Sequence, residues 1–283
     1  MIKKYFFLFF VLCVAALAVC GCKSDSDDDY SNAESYYTPS TGRKVAAIKT
    51  TATQNGHGYL WNYAFTYDTK GRIARIDGTI HYYSSNQKSN CVLTTCANYL
   101  YYKIDQLKIT YTCDYNFTDN TQYNKTLDGT YYGTFTQAGT LSVFGAIACE
   151  YSSSKLTQVD LDDGRYYQPI WEKDDVTGYL FKATENGEWV SYTGKYKFSN
   201  VVNSTNIDFS AFFGNLPFEI ETLPCNGNFL FSPFYLGAFD MLGARSLHLP
   251  LANYTYDSEG YPVKAVHTTA GGLELTREIT YLQ

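Results

Sequence analysis

The chain has 283 residues, a formal charge of −6 and a mean hydropathy of −0.27. No stretch gathers Lys and Arg into a stripe, which excludes nucleic acid as a partner. Aromatic side chains make up 17%, with 28 Tyr, and charged ones 18%, a balance that suits pleated, half-buried sheet surfaces.

The N-terminus reads as an export signal. Lys3 and Lys4 precede an apolar run from Tyr5 to Val19, which small residues and then charge follow at once. The run falls short of the roughly 20 residues a spanning helix needs. Residues 1–21 are therefore expected to be a bacterial lipoprotein signal peptide, with Cys22 as the lipidated first residue of the mature chain. Cys20 is the weaker cleavage site, because Val19 before it is bulkier than Gly21 before Cys22. Loss of Lys3 and Lys4 moves the charge from −6 to about −8. Each acyl CH₂ in the bilayer contributes roughly 0.8 kcal/mol, so the usual three chains on Cys22 would hold the protein on a membrane.

Residues 22–43 are rich in Ser, Asp, Thr and Tyr without apolar periodicity, the composition of an acidic flexible tether. The run Lys23-Ser24-Asp25-Ser26-Asp27-Asp28-Asp29 resembles the surface-export signal of Bacteroidota lipoproteins. That resemblance implies an outer-membrane lipoprotein on the cell surface, with the periplasmic face as the alternative.

Residues 44–283 are expected to form a single β domain. Strand patterns begin at Lys44–Thr50 and continue, past an Asn55-Gly56 turn, at Tyr59–Tyr67. Asp68-Thr69-Lys70-Gly71 is a turn in which Gly71 supplies the positive φ. In the following strand Ile73 and Ile76 break alternation, which predicts a bulge near Ala74. The unit returns near the C-terminus: Thr255-Tyr256-Asp257-x-x-Gly260 matches Thr66-Tyr67-Asp68-x-x-Gly71 in register, each followed by a strand. Cys149 to Val159 reads as a degenerate third copy without the Gly. Further strands are expected at Tyr99–Ile104, Leu107–Tyr115, Thr130–Phe135, Leu141–Tyr151, Gly178–Ala183, Trp189–Tyr192 and Tyr196–Phe198, with turns at Asp128-Gly129, Asp163-Gly164 and Asn186-Gly187. Such density predicts an all-β antiparallel meander of hairpins, forming a curved or partly closed barrel-like sheet. One or two short helices are expected near residues 207–243, where Ser232, Pro233 and Gly243 suit caps.

The Tyr-Asp-x-x-Gly hairpins resemble the YD-type repeats of secreted bacterial proteins. Together with the lipobox, the acidic tether, Leu242-Gly243-Ala244-Arg245-Ser246-Leu247-His248-Leu249-Pro250 and Gly260-Tyr261-Pro262, they resemble a Bacteroidota lipoprotein family of unknown function. The resemblance implies a porin-like all-β fold and brings no catalytic residues.

Chemistry is sparse. The sequence holds no G-x-S-x-G elbow, HExxH, P-loop or dinucleotide fingerprint. His57, His81, His248 and His267 are scattered, no CxxC pair exists, and the acidic pairs Asp162-Asp163 and Glu172–Asp175 fail calcium-loop spacing and read as solvated turns. No metal, cofactor or catalytic residue is expected. Five cysteines follow Cys22. Cys91 could bridge Cys96 across a hairpin, Cys96 could pair with Cys113, and Cys149 and Cys225 complete an odd set. Aromatic residues are the remaining lead. Trp61, Trp171 and Trp189, with the pairs Tyr82-Tyr83, Tyr101-Tyr102, Tyr131-Tyr132 and Tyr166-Tyr167, are candidates for stacking on sugar rings, each Tyr pair placing one ring on either face. A binding module for glycan or protein is the expected function, with an envelope glycan hydrolase and a structural envelope protein as the alternatives.

Overall fold

Alternating side chains drive this chain into strands, and hairpin turns fold each strand back on the one before. The computed structural model describes residues 33–54, 56–85, 87–145, 147–160, 164–185, 188–195, 197–207, 241–268 and 273–283. Twelve consecutive strands pair antiparallel in chain order: β1 (Val45–Gln54), β2 (His57–Tyr67), β3 (Ile73–Ser84), β4 (Ser89–Lys103), β5 (Gln106–Phe117), β6 (Lys125–Phe135), β7 (Leu141–Phe144), β8 (Ile147–Ser152), β9 (Lys155–Asp160), β10 (Tyr166–Glu172), β11 (Asp175–Glu185) and β12 (Glu188–Lys195). On its other edge β1 pairs with β17 (Glu274–Tyr281), which pairs with β16 (Pro262–Thr268), which pairs with β15 (Asn253–Tyr256). The result is one 15-stranded meander whose edges are β12 and β15, an open sheet, with a separate ribbon of β13 (Phe198–Val202) and β14 (His248–Pro250). This is the all-β architecture the strand pattern predicts. The helices expected near 207–243 fall, apart from the ends of that range, outside the described residues. Gly243, expected as a helix cap, has φ 64.

Register separates two faces. One row across the sheet runs Lys264, Glu278, Lys49, Asn62, Thr79, Thr94, Asp114, Thr126. A neighbouring row on the other face runs Ile279, Ile48, Tyr63, Gly78, Thr95, Cys113, Leu127. The first row is wetted and paired, with Lys49 Nζ 3.5 Å from Glu278 and the Thr126 hydroxyl donating to Asp114 at 2.6 Å. The second row is buried from Ile279 to Cys113, as alternation requires, and opens to solvent at Leu127.

All six hairpins from β2–β3 to β10–β11 and β15–β16 that turn at one end of the sheet lose register by one residue beside the turn. In the first, Thr66 pairs with Arg75 but Tyr67 with Ile73, so Ala74 is the extra residue, as the Ile73/Ile76 spacing predicts. Bulges add local twist, and this "bulged end" is where the deepest core collects. Ile207, Met241, Leu242, Ala244 and Leu249 lie in one apolar cluster with Ile73, Ile76, Leu107, Leu141 and Leu156.

The N-terminal segment belongs to the same cluster. Tyr37 is buried and stacks at 6.0 Å on Tyr101 and 5.7 Å on Phe135, while the Tyr36 N–H donates to the Ile104 carbonyl at 2.6 Å. The segment expected to be tether, residues 22–43, is thus packed against the sheet from Ala33 onward. Gly42 passes so close to Thr205 that a Cβ would lie 2.2 Å from its carbonyl carbon, a passage only Gly permits.

Asp128-Gly129, expected as a turn, lies inside β6 opposite Thr112 and Tyr111. Gly129 serves packing instead: a Cβ there would meet the Tyr111 ring at 2.7 Å. The expected Leu141–Tyr151 strand is broken into β7 and β8 at Gly145, with φ 59.

Candidate functional site

The repeated turn is a structural device. Asp68 Oδ1 accepts N–H groups from Lys70 and Arg72, both at 2.9 Å, and its Oδ2 accepts Arg72 Nε at 2.6 Å. The Gly71 N–H returns to the Asp68 carbonyl at 3.0 Å. Asp257 repeats this with Glu259, Tyr261 and Gly260. A further copy, Thr136-x-x-Gly139, uses the Thr hydroxyl as acceptor for the Thr140 N–H. The copy expected at Cys149–Val159 has a two-residue turn with Ser153 and Ser154 both at positive φ, and it keeps only the bulge. Arg72 then lies over the Tyr101 ring at 4.1 Å, and Arg43 plays the matching part across the chain, bonding Asp257 at 2.8 Å and lying over Tyr261 and Tyr281. These groups build the bulged end.

The acidic turn Glu172–Asp175 is solvated as expected at Glu172, Lys173 and Asp174, while Asp175 is tied down. Asp175 accepts both the backbone N–H and the ring Nδ1 of His248 at 2.9 and 2.8 Å, and Lys155 bonds Asp174 at 2.8 Å. This fastens the β10–β11 hairpin to the strand returning from the core.

The cysteines are thiols among the described residues. Cys91 and Cys96 lie on the same strand, five positions apart, so their side chains leave opposite faces. The expected hairpin bridge therefore does not form. Cys96 and Cys113 are also on opposite faces, paired with Thr112 and Thr95 respectively. Burial pushes the Cys113 thiol up to about 11, with the Asp114 carboxylate adding to it, and burial pushes Cys149 up to about 12. Both are poor nucleophiles at neutral pH. Cys225 and Cys22 lie outside the described residues.

Trp61 and Trp171 do not share a surface. Trp61 is only 7% exposed and belongs to the core. Trp171, eight strands away in the sheet order, donates its indole N–H to the Leu156 carbonyl at 2.7 Å, and Lys155 Nζ occupies its ring face at 4.9 Å. Trp189 is on β12, its side chain outside the described part. The Tyr pairs divide between faces as alternation predicts: Tyr101 is buried while Tyr102 is half-exposed, and Tyr131 stacks on Tyr111 and Phe144 while Tyr132 is exposed. On the core face Arg277 is buried beside Tyr254, and desolvation pulls its guanidinium down to about 9.

The end of the sheet opposite the bulges carries a different cluster. His57 and Tyr83 stack face to face at 3.9 Å with planes 5° apart, both half-exposed. The neighbouring loops are bound into one body: Asn120 Nδ2 donates to the Gln87 carbonyl at 2.6 Å, the Asp119 N–H to Ser89 Oγ at 3.2 Å, and the Thr118 N–H to the Asn90 carbonyl at 3.0 Å. A single 3₁₀ turn, Thr121–Tyr123, crowns the loop, with Asn124 Oδ1 accepting the Phe117 N–H at 2.7 Å. Tyr123 is 47% exposed. The loops at residues 87–90 and 118–124 are thereby tied together at this end of the sheet, the "loop end", which also carries the His57–Tyr83 stack. The Tyr82-Tyr83 pair points to it in sequence; the tie between residues 87–90 and 118–120 leaves no local signal.

Among the described residues no group of three His, Cys, Asp or Glu could hold a metal, and no helix is long and apolar enough to cross a membrane. No protein family matches the chain, and no curated protein does. Solved structures similar to the chain include two porin-like proteins. A porin-like protein from Bacteroides uniformis ATCC 8492 is 13% identical with a TM-score of 0.46, over 88% of this chain and 99% of its own. A porin-like protein from Bacteroides vulgatus ATCC 8482 is 13% identical with a TM-score of 0.37, over 85% of this chain and 99% of its own.

Proposed function

We propose that this is a lipid-anchored envelope protein, held on the outer membrane through Cys22, that binds a glycan at its loop end and carries out no chemistry of its own. The observation behind the binding reading is the His57–Tyr83 stack at 3.9 Å, set among loops that mutual hydrogen bonds hold rigid. Sugar recognition asks for an aromatic plane against C–H faces and for donors and acceptors beside it, with little ordering left to do on binding. Asn120, Gln122, Gln87 and Asp119 supply the polar groups. The polar row from Lys264 to Thr126 supports a wetted outer face, since a lipid-facing strand needs an apolar residue at every second position.

The test is a polysaccharide array probed with the full-length chain in detergent, wild type against Tyr83→Ala and Tyr123→Ala. Retention of the wild type with loss of at least tenfold affinity in Tyr83→Ala, about 1.4 kcal/mol, is expected. Absence of any glycan bound at high micromolar concentration, or equal retention of the three proteins, overturns the reading.

A further inference from the structure

Where the N-terminal segment joins the sheet fixes which end can rest on the bilayer. Ala33 and Tyr36 sit at the bulged end: the Ala33 carbonyl accepts Arg72 Nη1 at 3.0 Å and Lys70 Nζ at 3.1 Å, and Tyr36 bonds the tip of the β4–β5 turn at Ile104. Ten residues lie between Cys22 and Ala33, a path of eleven Cα–Cα steps. Fully stretched, these steps reach about 38 Å. Strand β4 alone, with 15 residues, is about 50 Å long. A domain standing upright on its loop end would hold Ala33 farther from the bilayer than the stretched segment reaches.

The surface beside Ile104 has the chemistry of a bilayer contact. Ile104 is 49% exposed at the tip of the turn, and Tyr132 is 56% exposed on the outer face. Tyr102, half-exposed and two residues before Ile104, has its hydroxyl pKa raised by burial first and then by its neighbours Tyr132 and Asp105. Lys103 Nζ lies 5.8 Å from the Tyr102 ring centre, and Lys108 pairs in register with Tyr132. Exposed Val143 follows on β7. Tyr with Lys around exposed aliphatic side chains is the composition that settles at headgroup level, where amphipathic rings and ammonium groups find both wet and apolar surroundings.

We propose that the Ile104–Tyr102–Tyr132 patch docks on the lipid surface and stands the sheet on its bulged end, with the loop end pointing away from the membrane. This rests on the reading of Cys22 as the lipidated residue, and it deepens the proposed function by placing the candidate glycan surface outermost. Lipid headgroups, rather than a protein partner, are the occupant because the anchored chain delivers this patch to within its own short reach of them.

Two single-tryptophan additions to the full-length, lipid-modified chain test it: Ile104→Trp in the patch and Tyr123→Trp at the loop end. Each is reconstituted in vesicles of phosphatidylethanolamine and phosphatidylglycerol, with and without brominated acyl chains. Trp61, Trp171 and Trp189 are common to both, so the difference between variants reads the new indole. The expected result is co-flotation of both, emission lost to bromine in Ile104→Trp, and emission unchanged in Tyr123→Trp. Co-flotation with quenching of Tyr123→Trp, or of neither variant, overturns the orientation and leaves the anchor standing. Failure to co-float, or equal flotation of Cys22→Ser, overturns the anchor and the orientation with it.

Discussion

At the scale of the residue, one motif does two energetically different things. The Asp68–Arg72 pair is withdrawn from water, with side chains 4% and 1% exposed and Nε at 2.6 Å from the carboxylate. The Arg72 guanidinium also faces the Tyr101 ring and the Ala33 carbonyl. Removing one charge of such a pair leaves the other buried, which costs several kcal/mol. The Asp257–Arg43 pair has the same turn geometry but is a quarter exposed on both sides, and water screens most of its Coulomb energy. Asp68→Asn should lower stability by about 3 kcal/mol. Asp257→Asn should cost less than about 1 kcal/mol. Urea midpoints of the two variants decide it: equal losses would mean that the turn hydrogen bonds, and not the buried charge, carry the stabilisation.

At the scale of the element, the sequence shows strands well and pairing partners poorly. The Thr-Tyr-Asp-x-x-Gly units fold as hairpins with Gly71 and Gly260 at φ 81 and 86, because the turn needs a left-handed residue and a side-chain acceptor, both of which are local. Thr136-x-x-Gly139 is the same element with a hydroxyl for the carboxylate, and a search allowing Thr at the first position would have found it. Asp128-Gly129 misleads because its glycine answers to a ring 18 residues earlier, Tyr111, and not to a turn. The N-terminal segment misleads for the same reason. Nothing local in Glu34-Ser35-Tyr36-Tyr37 marks it as core, since its partners Tyr101 and Phe135 lie far along the chain. Truncating a buried aromatic ring costs about 3–5 kcal/mol, so Tyr37→Ala should destabilise the domain by about 3 kcal/mol and release the segment before it. Limited proteolysis reads the second effect directly: cleavage between residues 33 and 42 should be fast in Tyr37→Ala and slow in the wild type. Equal cleavage rates would show that the backbone bond from Tyr36 to Ile104 is enough to hold the segment.

At the scale of the molecule, an open 15-stranded meander has no closing seam, so its stability must be graded from the centre outward. The candidate site at the loop end shares this dependence, because it is assembled from turns that only the pairing of β1 to β6 brings together. That is why it was not legible before the register was known, although its Tyr83 was. The most deeply buried side chains, Ile48, Arg72, Ile76, Leu107, Ile109, Leu141, Leu156 and Leu249, lie on or beside β1, β3, β5, β7, β9 and β14, Met241 lies in the segment before β14, and none is among the described residues of β10 to β12. Strand β12 is an edge with one neighbour, and regions with fewer buried apolar contacts open at lower free energy. Amide hydrogen exchange under native conditions should therefore show β3, β4 and β5 exchanging last, β10 earlier, and β11 and β12 first among the long strands. Exchange at β12 as slow as at β4 would mean that its outer edge is covered by another part of the chain or by a second molecule, and the sheet would then have to be treated as having one exposed edge, β15, and not two.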